Sequence, residues 1–169
     1  MDEHTLIEFN KTTADLLAIL NSLTEEQLNY TPTQDWTIGQ FGVHLLKSYA
    51  FIGILNGTTK PTTRPFDQKL PPIEKIFSDQ TIKMESPEAI KPSQENTNKT
   101  KLINSLNKRI EQIRLAIQTL DLSETCIDFS IPQYGEFTRY EGVWFNIYHT
   151  RRHVWQIKNR LNLPVESYY

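Results

Sequence analysis

Apolar residues recur along most of this 169-residue chain at alternating intervals of three and four, and no other feature restricts the fold as much. One stripe is Leu6, Phe9, Thr13, Leu16 and Leu20; a second is Ile38, Phe41 and Leu45, with Ser48 in register, then Ile52 and Leu55. The third, Ile103, Leu106, Ile110, Ile113, Ile117 and Leu120, is the most regular, and the fourth is Val143, Ile147, Thr150, Val154, Ile157 and Leu161. At about 3.6 residues per turn each set falls on one side of an α-helix. Such a stripe has to be buried, and four of them bury one another in an all-α four-helix bundle.

Local signals set the ends of these helices. Thr37 and Gln40 stand in a capping-box arrangement, so the second helix is predicted to begin near 37, and Asn56-Gly57 is a stop. Thr24 and Gln27 repeat the box before Leu28. The last helix is predicted over 139–161, with Pro164 beyond its end. Gly42 and Gly53 interrupt the second helix, each costing about 1 kcal/mol against alanine. They are expected where another backbone comes close.

Residues 57–95 differ in kind. Six of the nine prolines lie there, so a long irregular crossover between the second and third helices is predicted, with one short helix at 73–78. Its scattered apolar residues suit either a lid over a site or a plain connection between distant helix ends. The segment "ETCIDFSIPQYGEF" reads as loop with a brief extended piece. With no repeat and no second composition regime, one domain over 1–169 is expected.

Composition narrows the classes of function. A net charge of −2 argues against nucleic-acid binding. The lone Cys126, read as a small, partly buried residue, leaves no disulfide framework and fits a reducing compartment. No stretch approaches the roughly 20 apolar residues of a membrane span. The expectation is a soluble, cytoplasmic protein. There is no Gly-x-Ser-x-Gly elbow for a Ser-His-Asp hydrolase, and no phosphate-binding glycine loop.

The chemistry-bearing pattern lies in "NIYHTRRHVWQI", residues 146–157. One position before each core residue of the fourth helix stand Asn146, His149, His153, Gln156 and Arg160, a second line about 100° around the helix. His44 stands in the same relation to Leu45, with Gln40 one turn earlier. If the two helices are neighbours, three imidazoles converge into a three-nitrogen metal site with open positions. Otherwise His149 and His153 are partly buried polar residues satisfied locally. His4 reads as surface. Trp36, Trp144, Tyr148 and Trp155 wall a pocket or simply pack the core and seams. Gln40 and Gln156 are placed to orient an imidazole or a bound ligand. Arg152 or Arg160 holds a substrate carboxylate or belongs to a solvated, salt-bridged face. No residue presents itself as a general base; Glu141 is the nearest candidate.

"DWTIGQFGVHLLKS" followed by "IYHTRRHVWQIKNR", together with "LTEEQLNYTP", "SPEAIKPS" and the ending in "LP", resembles the DinB-like family, also called the damage-inducible or YfiT-like superfamily. The resemblance covers nearly the whole chain and is most specific over Trp36 to His44 and His149 to Gln156. It implies a four-helix bundle of unusual connectivity with a long second crossover, and a divalent metal, zinc or nickel, on His44, His149 and His153. It further implies either a metal-dependent hydrolase or an enzyme using a low-molecular-weight thiol cofactor, as bacillithiol transferases and mycothiol-dependent isomerases do. A small-molecule substrate and a homodimer are the expected partners. A non-catalytic dimeric bundle that binds a metal or small ligand is the alternative.

Overall fold

The computed structural model describes residues 2–31 and 35–165. Seven α-helices occur among them: α1 Glu3–Ser22, α2 Glu25–Asn29, α3 Ile38–Ser48, α4 Ile52–Leu55, α5 Leu70–Ser78, α6 Lys99–Thr119 and α7 Arg139–Arg160. Three strands complete the set: β1 Thr59–Lys60, β2 Thr125–Ile131 and β3 Gly135–Thr138. Each predicted helix start carries its cap. Thr24, Thr37 and Thr138 each form a full capping box with the residue three positions on. Asp2 and Asn98 cap α1 and α6.

Four elements make the bundle: α1, α3 with its continuation α4, α6, and α7. α1 packs against α6 and α7, and α3 packs against the same two. Going round the bundle the order is therefore α1, α6, α3, α7. Successive helices α1 and α3 sit across a diagonal, as do α6 and α7. The long crossover joins α3 and α6, which are neighbours. The shared core runs through all four predicted stripes, with Phe9, Leu16, Leu20, Leu45, Leu55, Leu106, Ile110, Ile113, Ile117, Val143, Ile147, Val154 and Ile157 buried. Leu6, Ile103, Leu120 and Leu161 lie at its margin, half-buried.

Three expectations need correction. The second helix is not continuous from 37 to 55: it tightens into a 3-10 turn over Tyr49–Phe51. There Ser48 and the fully buried Tyr49 are both hydrogen-bonded to α7, Tyr49 Oη lying 2.9 Å from Thr150 Oγ1. Of the two glycines, only Gly42 marks a close approach. A Cβ there would lie 2.7 Å from Leu102 Cδ2 on α6, whereas a Cβ at Gly53 meets nothing within 4 Å. The approaching group is a side chain, not a backbone. Finally, residues 125–138 form a full antiparallel hairpin, with β1 added on its other edge. Its turn uses left-handed residues, Gln133 at φ 73° and Gly135 at φ 70°.

Against the expectation that no stretch approaches a membrane span, Ile38–Leu55 has a mean hydropathy of 1.3 over 18 residues, enough by length and composition to cross a membrane. It is 56% buried in the bundle, the profile of a core helix. Cys126 is buried on β2, as expected of a small structural residue.

The crossover does more than connect. It contributes α5, of which Ile73 and Phe77 are buried against α7. Arg64 reaches from the crossover to Glu141 at the start of α7, with two nitrogen–oxygen distances of 2.6 Å. Glu141 is 0% exposed and also accepts from the backbone N–H groups of Lys69 and Thr138. A buried carboxylate saturated in this way pins the crossover and does not serve as a general base. Arg64→Met leaves that carboxylate without its cation and should lower the unfolding free energy by about 3 kcal/mol in urea titrations. A loss below about 0.5 kcal/mol, the size of a surface pair, would show that the contact does not hold the crossover in place.

Candidate metal centre

α3 and α7 are direct neighbours, and the position before Leu45 on one faces the positions before Thr150 and Val154 on the other. His44, His149 and His153 therefore meet. All three are buried, His44 being 1% exposed. Their ring centroids lie 4.9, 4.8 and 4.6 Å apart for 44–149, 44–153 and 149–153. The Nε2 atom of His149 is 2.9 Å from Nε2 of His44 and 2.9 Å from Nε2 of His153. Each residue thus offers one nitrogen to a common point.

Two of the three outer nitrogens are engaged by acceptors. Nδ1 of His44 donates to the carbonyl of Ile90, 2.9 Å away in the crossover. Nδ1 of His153 donates to Oε1 of Gln156 at 2.7 Å. A neutral imidazole that donates from Nδ1 carries its lone pair on Nε2. Two lone pairs are thereby aimed at the third ring. Nδ1 of His149 lies 3.2 Å from Ser48 Oγ.

Burial keeps these rings uncharged. Desolvation lowers His44 from its ordinary value, against the Ile90 carbonyl, which favours the charged form, and with Lys47, which opposes it. It drives His149 well below 6.5, helped by the charges that His153, His44 and Arg152 would present. His153 falls to about 3, chiefly through burial and then through His44, with Gln156 pulling the other way. Three neutral imidazoles, with at least two inward lone pairs and no carboxylate among them, suit a divalent cation and poorly suit a cluster of protons.

Aromatic rings close the sides. Trp36 lies tilted 5.0 Å from His44, Phe41 lies 5.4 Å from His153, and Phe77 of α5 lies 5.7 Å from His149. Phe145 stands behind His149 at 6.2 Å and edge-on to Phe77 at 5.0 Å. The crossover helps build the centre, through the Ile90 carbonyl and the Phe77 ring.

Other expected members are elsewhere. Trp144 donates its indole N–H to Thr5 Oγ1 on α1, and Tyr148 packs on Trp144 at 5.3 Å. Both fill the α1–α7 seam, because their positions turn them away from the histidine line. His4 is exposed, as expected, beside Trp144 at 5.6 Å. Trp155 is half-buried. Gln40 spends its amide on its own helix cap and on the carbonyl of Ser93, 2.9 Å away, so it orients no imidazole. Arg152 is neither solvated nor turned toward a substrate. Its guanidinium is buried and donates to the carbonyls of Phe77, Asp79 and Ile82, capping the C-terminal end of α5. Arg160 donates to the Trp36 carbonyl and lies 3.8 Å from Asp35, the salt-bridged reading. Ser48, Phe77, Phe145 and Ile90 escaped the sequence reading. Only Ser48 carried a signal, as a polar break in an apolar stripe.

Below pH 6.5 the unfolded chain takes up a proton at residue 153 that the folded chain refuses until about pH 3. Unfolding free energy therefore falls as pH falls through that window, by ~1.4 kcal/mol per unit for one histidine. In metal-free protein, His153→Gln should remove this part of the slope, measured by urea titration between about pH 6 and pH 4. Equal slopes for the two proteins would mean that His153 is charged in the fold.

A comparison with curated proteins finds no match in sequence to this chain. The solved structure of YfiT from Bacillus subtilis is described as a probable metal-dependent hydrolase with an unusual four-helix bundle topology. It superposes with a TM-score of 0.59, covering 96% of this chain and 88% of that chain at 16% identity, a likeness of fold. A model of the DinB superfamily matches residues 8–157, and the chain belongs to that superfamily.

Proposed function

We propose that His44, His149 and His153 hold a divalent metal ion, zinc or nickel, and that the protein is a metal-dependent hydrolase acting on a small molecule. One observation carries the reading: three buried, neutral imidazoles bring their Nε2 atoms to one point, His149 at 2.9 Å from each of the others. The description of YfiT, of the same fold, as a probable metal-dependent hydrolase supports the choice of reaction. A divalent ion bound there supplies Lewis-acid activation of a water or a thiol.

The chain's own residues do the rest. Three ligands fall short of the four that a structural zinc site normally has, which leaves room for an exchangeable group. All three are neutral, so the ion's charge is not cancelled by the protein and an anionic ligand is favoured. The rings of Trp36, Phe41, Phe77 and Phe145 exclude water and strengthen that attraction. The Ile90 carbonyl and Gln156 hold two of the imidazoles in place.

A second reading, transfer of a low-molecular-weight thiol, is favoured by the position of Glu141. The one carboxylate the sequence offered as a base is spent on Arg64 and two backbone N–H groups. A thiol, once ionised, needs no general base for its attack.

Protein purified without a histidine tag should contain close to one equivalent of metal, and His44→Ala and His149→Ala should contain almost none. Zinc at a hundred times its dissociation constant should raise the unfolding free energy of the metal-free wild type by about 2.7 kcal/mol and leave His153→Ala unmoved. Equal metal content in wild type and variants would remove the site. For loaded protein, turnover of esters or amides in water alone supports the hydrolase, and turnover only with added thiol supports the transferase. Activity with neither leaves a metal-binding bundle without catalysis.

A further inference from the structure

The inward lone pairs of His44 and His153 are fixed by acceptors that cannot donate or that face them with oxygen. His149 is different, because its outer partner is a hydroxyl, which can give or take a hydrogen. If Ser48 donates to Nδ1, His149 is protonated at Nε2. That hydrogen then points at the other two imidazoles, 2.9 Å away, and blocks the point where the three nitrogens meet. If Ser48 accepts instead, the third lone pair turns inward.

The next contact in the chain makes the choice. Ser48 Oγ also lies 3.0 Å from Oδ1 of Asn146. The amide of Asn146 is oriented by its other end: Nδ2 donates to the carbonyl of Gly142 at 3.0 Å, one helical turn back on α7. Its oxygen must therefore face Ser48, and that oxygen can only accept. Ser48 has a single hydrogen, which goes to Asn146, leaving a hydroxyl lone pair for Nδ1–H of His149. Asn146 is 4% exposed, so water does not compete for the amide.

We propose that Asn146 and Ser48 form a positioning relay, from the Gly142 carbonyl to His149 Nδ1, that sets the tautomer of His149 and so makes it a metal ligand. This rests on the metal site proposed above. Neither residue touches the point where the nitrogens meet. Asn146 is one turn before His149 on α7 and Ser48 is one turn after His44 on α3, so the relay also stitches together the two helices that supply the ligands.

The test is the long-range proton–nitrogen NMR spectrum of the imidazoles in metal-free protein, together with zinc affinity by chelator competition. In the wild type the three imidazoles are expected as Nδ1–H tautomers. Asn146→Ala leaves Ser48 free to donate, and His149 should shift toward Nε2–H while zinc affinity falls about 10- to 100-fold. Ser48→Ala should behave as Asn146→Ala does, and serves if that variant is poorly folded. An Nε2–H signal for His149 in the wild type would overturn the relay. So would an unchanged tautomer and affinity in Asn146→Ala and Ser48→Ala. A wild type that shows the expected tautomer but binds no zinc would sink the metal site and leave the relay standing.

Discussion

α7 is buried on almost every side, yet it is not apolar. Glu141, Asn146, His149, Arg151, Arg152, His153 and Lys158 all lie beneath the surface along it. Burying such groups unpaired would cost several kcal/mol each, so every neighbouring element has to bring a partner. α1 brings Glu8 and Thr12 to Arg151 and Asp15 to Lys158. α3 brings Ser48 to Asn146. The crossover brings Arg64 to Glu141 and the carbonyl end of α5 to Arg152. The architecture is a set of answers to the hydrogen-bonding demands of one helix.

At the histidine centre that demand is met on the inner side only by other imidazoles. Elsewhere on α7 each cation finds an oxygen and each carboxylate a cation or N–H. At His44, His149 and His153 the outer nitrogens are satisfied by Ile90, Ser48 and Gln156, and the inner ones face only each other. The fold pairs its buried charges thoroughly and gathers three imidazole nitrogens in one place, a set of ligand atoms that can hold a metal ion. The same logic explains the crossover. α5 seats Phe77 against His149, and Arg152 holds the end of that helix.

Much of this was legible in the residues. The 3, 4 spacing marks the bundle helices because burial is the only stable use of such a stripe. The capping threonines Thr24 and Thr37 mark two helix starts because unsatisfied N–H groups need local oxygen. The register of His44, His149 and His153 beside the core stripe was readable, and so was the place of Gln156 one turn from a ligand. The hairpin was less so. Ile127, Phe129 and Ile131 alternate as a strand does, but Ile127 and Phe129 are exposed, and the nearby Pro132 and Gly135 read as loop. Glu141 and Arg152 were misplaced for one reason: spacing gives a residue's angle on its own helix, not what the other helices put opposite it.

By itself, then, the sequence determined the helices, their buried faces and the histidine line, because these follow from periodicity within single segments. Tertiary structure decided that α3 and α7 are neighbours across a bundle in which α1 and α3 are diagonal. It also decided which nitrogen of each imidazole faces inward, and that a proline-rich crossover forms part of the centre. Those depend on contacts such as Ser48 with Asn146, 98 positions apart, or His44 with Ile90. Side-chain direction and hydrogen-bond polarity are fixed only when distant segments are packed against one another, and no local pattern records them.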